Sequence, residues 1–175
     1  MINTTVLPIL QHTPSWVYAV LAALIVTGVQ AFRTRILPAW RLLLVPAIFI
    51  GWGIISIAAR SASNPSLALN WIAAAALGTV LGLATTRLRG YAFGDGGRVS
   101  VPGTPVTLVR TLCIFVVRYG LAVAAAFAAD PSARAQLVIA DVVVSGLTAG
   151  YFLGWTARFA TAFRARAAGV AELVR

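Results

Sequence analysis

Five apolar stretches, each long enough to cross a bilayer, leave a chain of this kind few ways to fold. They cover residues 14–32, 38–59, 65–86, 105–129 and 131–158 of a 175-residue sequence. About 20 residues at 1.5 Å each span a hydrocarbon core of roughly 30 Å. In lipid every backbone polar group must be satisfied within the segment, so such stretches become helices. The expectation is an all-α polytopic membrane protein with five transmembrane helices, forming one integral-membrane domain over residues 1–175. Only 10% of the residues are charged and 60% are hydrophobic. A water-soluble domain carries about 25% charged residues.

Helix starts are marked locally. Thr13-Pro14, Asn64-Pro65, Thr104-Pro105 and Asp130-Pro131 each set a capping side chain before a proline at the first helical position. The second stretch starts near Pro38 instead. Residues 1–13 are apolar but short and interrupted by Pro8, which suits an interfacial position. No cleavable signal peptide is evident, because the first stretch ends in Arg33 and Arg35 rather than in small residues.

The arginines set orientation. All fourteen basic residues are arginine. Arg33, Arg35 and Arg41 follow the first stretch, Arg87, Arg89 and Arg98 follow the third, and Arg158, Arg164, Arg166 and Arg175 follow the fifth. The intervening loops hold only Arg60 and Arg134. Short arginine-rich loops stay cytoplasmic, so the N-terminus is expected outside and the C-terminus inside, with the tail at 159–175 a basic, Ala-rich helical continuation lying on the anionic inner leaflet. Trp16 and Trp71 fit the outer interface and Trp40 and Trp155 the inner one. The bacterial cytoplasmic (inner) membrane, with its anionic inner leaflet, is the expected location and partner. The arginines read either as compositional bias or as guanidinium forks for phosphate and lipid headgroups. Topology accounts for their distribution, and no nucleic-acid role is needed.

Within the stretches, Pro46 is expected to bend the second helix. Gly78 and Gly82 form a G-x-x-x-G pair, and Gly146, Gly150 and Gly154 form a longer ridge. The ridge suits an internal helix contact or a homodimer face. On the opposite side of the same helix, Asp141, Ser145 and Thr148 form a polar stripe. The loop at 91–101 alternates around Gly94-Asp95-Gly96-Gly97, a β-hairpin signal.

Two charges fall inside stretches near their shared 128–130 turn. Counting from that turn places Arg118 and Asp141 roughly 15–17 Å deep, which predicts an intramembrane ion pair. Arg110, Tyr119, Ser145 and Thr148 are candidate polar neighbours. The pair reads either as a structural clasp or as a proton, ion or substrate site. No catalytic set is apparent, because His12 lacks a nucleophile and carboxylate partner. One cysteine, Cys113, and one histidine make no metal cluster, and no cofactor is implied.

The motifs His12-Thr-Pro-Ser-Trp16-Val, Val45-Pro46, Val101-Pro-Gly-Thr-Pro105, Phe115-Val-Val-Arg118-Tyr119 and Gly154-Trp-Thr-Ala-Arg158 resemble a family of small, uncharacterised bacterial inner-membrane proteins. That resemblance implies a five-span helical protein and supplies no activity. A fainter similarity, through the Pro-Gly turn and the basic-Tyr step, is to a membrane family associated with cytochrome maturation. The chain departs from it in having no haem-attachment cysteine pair. Three functions follow as expectations: an accessory or scaffold protein with a membrane-protein or self partner, a small transporter or channel using Arg118 and Asp141, and a membrane enzyme.

Overall fold

The structure is a computed structural model, and it describes residues 15–62, 64–88, 90–94 and 97–173. Its elements are α1 (Ser15–Gln30), β1 (Arg35–Pro38), α2 (Ala39–Ser61), α3 (Pro65–Thr85), β2 (Ala92–Phe93), β3 (Arg98–Val101), α4 (Val106–Phe127) and α5 (Pro131–Leu173). His12, the Thr13-Pro14 helix start and Asp95-Gly96 lie outside the described residues.

The capping residues act as their chemistry dictates. Asn64 Oδ1 accepts from the Ser66 N–H at 3.1 Å. Thr104 Oγ1 accepts from the Val106 N–H at 3.2 Å. Asp130 accepts from the N–H groups of Ser132 and Ala133, each at 3.2 Å, and from the Ser132 hydroxyl. The Ser132 hydroxyl, followed by the two N–H groups, holds the Asp130 carboxyl below the usual 3.8. These bonds serve amide groups that have no partner within the helix.

Four helices, α2, α3, α4 and α5, are long and apolar enough to cross a membrane. Much of their apolar surface faces outward: Ile48, Trp52, Ile55, Leu69, Ile72, Val80, Val106 and Val116 are all more than half exposed. A surface of that kind calls for lipid. The sixteen described residues of α1 are equally apolar but fewer than a full crossing needs. Pro46 is buried inside α2, which continues through it.

The helical continuation expected past Arg158 is present in α5. Its 43 residues run unbroken through the Arg158 boundary to Leu173, about 65 Å at 1.5 Å each. Past that boundary Phe159 is only 2% exposed, and it stacks on Trp155 and Phe163 at centroid distances of 5.3 and 6.2 Å. Phe159 is thus packed within the protein just past Arg158.

The expected hairpin is present and has gained a strand. β2 and β3 pair antiparallel with Phe93 opposite Val99, and β1 pairs antiparallel with the other edge of β3, Leu37 opposite Val99 and Arg35 opposite Val101. Val99 is fully buried. A two-stranded hairpin is marginal alone, and a third strand with one buried face is what stabilises such a unit. The pairing places the start of α2 and the segment after α3 at the same end of the α2–α3 pair.

The chain divides into two compact units. One runs through Arg33 and resumes at Gly103–Leu137, so it holds α1, α4 and the first turns of α5. There Gly28 faces the Leu108 side chain. The Thr104 N–H donates to the Ala31 carbonyl at 2.8 Å, and Gly103 lies against the Phe32 backbone, where no side chain would fit. The other unit, Thr34–Pro102 with Val138–Arg175, holds α2, α3, the sheet and the greater part of α5.

Candidate functional site

Glycine sets the geometry of the second unit. A methyl added at Gly146 would fall 2.5 Å from the Trp71 carbonyl oxygen; at Gly150 it would overlap the Ala75 carbonyl and at Gly154 the Thr79 carbonyl. In return Gly78 and Gly82 face the Leu147 and Tyr151 carbonyls. Two ridges of small residues thus interlock backbone to backbone, the close approach that small residues permit in a membrane. Residue numbers rise together along the contact, so α3 and α5 run parallel, Ala74 level with Gly146.

The other face of α5 meets α2. A methyl at Gly53 would lie 3.3 Å from Ala149 Cβ and 3.7 Å from Ser145 Oγ. Phe49 stacks on Phe152 at 5.0 Å. Arg60 Nη1 donates to Asp141 Oδ2 at 2.7 Å. Here residue numbers run in opposite directions, so α2 and α5 are antiparallel.

These two registers locate Asp141. It sits level with about Leu69 in the second turn of α3, and with Arg60 in the last turn of α2. Asp141 therefore lies near the α2–α3 turn of the three-helix unit. Its carboxylate is 14% exposed and the Arg60 side chain 43%, so the pair is partly screened and contributes modestly, about 1 kcal/mol.

The rest of the polar stripe is engaged within the unit. The Trp71 Nε1–H donates to Ser145 Oγ at 3.4 Å, a long bond across α3 and α5. Thr148 Oγ1 donates to the Val144 carbonyl of its own helix at 2.7 Å. Ser145 and Thr148 are buried. The structure therefore gathers Asp141, Ser145, Thr148 and the five glycines Gly78, Gly82, Gly146, Gly150 and Gly154 in one unit. Arg110, Arg118 and Tyr119 lie on α4 in the other. There Tyr119 stacks on Phe115 at 6.0 Å, and neither Arg110 nor Arg118 is a free charge.

Arg60 is the participant that sequence reasoning missed. As a lone arginine in a loop it read as a topology signal. Its place four residues before Asn64-Pro65, and so in the last turn of α2, was the available clue. Among the described residues no three of His, Cys, Asp and Glu come together. The arrangement is a packed strut whose polar side chains mostly bond to one another or to nearby carbonyls.

No curated protein and no solved structure matches the chain. A family model does, over residues 2–170: the family of unknown function DUF6622. Nearly every element described above falls within that match, and the chain belongs to this family.

Proposed function

We propose that the protein is a non-enzymatic accessory or scaffold component of the bacterial inner membrane, crossing it five times with its N-terminus outside and its C-terminus in the cytoplasm. The observation that carries this reading is the use made of α5. Asp141 is held by Arg60, Ser145 by Trp71 and Thr148 by its own helix. A helix whose polar groups are satisfied in this way suits a rigid support. The crossing number draws on the pairing of β1 with β3, which requires an even number of crossings between them, and on the parallel run of α3 and α5, which requires α4 to return.

On this reading Arg118 shares the Asp141 carboxylate with Arg60, since both lie about eleven residues from the 128–130 turn. Each carboxylate oxygen has acceptor capacity for more than one guanidinium. Thermal unfolding of Arg118→Leu, Asp141→Leu and the double variant tests the pairing. A double variant more stable than the sum of the single losses is expected. Simple additivity overturns it.

Two further measurements test the function. Purification in mild detergent is expected to retain a membrane-protein partner in fixed stoichiometry. Proteoliposomes that move an ion or solute at a rate abolished by Asp141→Asn would instead establish the transporter reading.

A further inference from the structure

The α2–α3–α5 unit ends differently at its two rims. At the α2–α3 turn, Arg60 is neutralised by Asp141. At the opposite rim, Arg41 lies in the first turn of α2, Arg87 two residues past α3, and Arg158 on α5. The helix registers bring these three to within about 6 Å of one another in height. All three are exposed, and no described acid lies within ion-pair distance of any of them. Arg41 instead sits over the Trp40 ring, 5.5 Å from its centroid, and Trp40 is itself 59% exposed. The seventeen residues from Asp141 to Arg158 measure about 26 Å along α5, close to the roughly 30 Å of a hydrocarbon core. The unpaired rim therefore stands at headgroup height.

We infer that Arg41, Arg87 and Arg158, with Trp40, form a binding site for the phosphate groups of anionic phospholipid. Three guanidinium groups at one level, with no acid among the described residues to balance them, call for negative partners. Guanidinium forks bind phosphate bidentately and are less strongly hydrated than ammonium groups. Trp40 supplies the indole that favours the interface, and Arg41 above it is held ready by the cation–π contact. Arg164 and Arg166 stand about 9 and 12 Å further along α5 than Arg158, beyond the phosphate layer, and take no part. The inference rests on the membrane reading above, and reporter fusions at the two termini test that reading separately.

The test is native mass spectrometry and thermal unfolding of the full chain in mild detergent, titrated with phosphatidylglycerol or with phosphatidylcholine. The unmodified protein is expected to retain phosphatidylglycerol at least about tenfold better and to be stabilised by it, since guanidinium groups near an anionic surface are attracted to its phosphates. Arg41→Gln/Arg87→Gln/Arg158→Gln is expected to lose the preference, and Arg164→Gln/Arg166→Gln to keep it. The two variants are compared at equal helicity in lipid-free detergent. If the triple variant does not fold, the unmodified protein decides: equal retention of the two lipids overturns the inference. Retention unchanged in a folded triple variant also overturns it. Displacement of the lipid by millimolar inorganic phosphate would reassign the site to free phosphate and overturn the lipid assignment.

Discussion

α3 and α5 meet along three consecutive glycines of one helix and two of the other, each facing a carbonyl across the contact. α1 and α4 meet at a single glycine, Gly28, which faces the Leu108 side chain, and are tied at one end where Gly103 and Thr104 reach the Phe32 and Ala31 backbone. The first contact is made of rigid parts on both sides. The second has one adaptable side chain and one rigid anchor. Burial follows the same division: α5 carries the buried Val142, Ala149, Phe152 and Phe159, whereas α4 has no buried residue. In lipid, where apolar burial does not separate helix from solvent, tightness comes from how closely backbones can approach. The α3–α5 pair is the frame of its unit, and α4 keeps most of its surface for its surroundings.

The sharpest way to break this contrast is Gly150→Val. The added atoms would overlap the Ala75 carbonyl, and neither helix can yield without disturbing Gly146 and Gly154. A loss of about 3 kcal/mol is expected, at the upper end for overpacking, read as a lower midpoint in thermal unfolding in detergent. Gly103→Ala comes next, at about 2 kcal/mol, because the Phe32 carbonyl is backbone and fixed. Its loss should appear as faster hydrogen exchange at the Thr104 amide, whose bond to Ala31 it disturbs.

Gly28→Ala is expected to cost about 1 kcal/mol, since the Leu108 side chain can partly rotate away. Gly120→Ala on the same helix pair, where nothing lies within 4 Å, should cost nothing and gain up to about 1 kcal/mol of helix propensity. If Gly28→Ala proves as damaging as Gly150→Val, the α1–α4 contact is as rigid as the other. The smallest effect is on acidity. Because hydrogen bonds lower the folded Asp130 carboxyl below 3.8, their stabilisation is fully present above that value and is lost as pH falls through the lowered one. Asp130→Asn should flatten the unfolding midpoint against pH in that acid window and leave it little changed near neutrality.

Helix existence and most helix ends were legible in the sequence because the signals are local. Asn64, Thr104 and Asp130 each act within three residues, and the apolar runs are continuous. The glycine spacing also showed which faces could come close, though not which helix would fill them. What escaped was set by distance along the chain. Arg35-Ile36-Leu37-Pro38 is too short to announce a strand, and its partner lies more than sixty residues later. That Arg60 reaches Asp141 depended on the register of α5 against α2, between residues 81 positions apart, which no residue-by-residue reading contains.

The pairing of β1 with β3 bears on how the polypeptide is made. Between the two strands lie α2 and α3, so on the five-crossing reading proposed above the ladder can close only when both have been threaded, or neither has. A nascent chain with one of the pair left behind would strand Arg35–Pro38 and Arg98–Val101 in different compartments, each with bare edge amides. Such half-inserted chains would present extended, unpaired segments to quality-control proteases, while correctly threaded ones would hide them as soon as Val101 emerged from the ribosome.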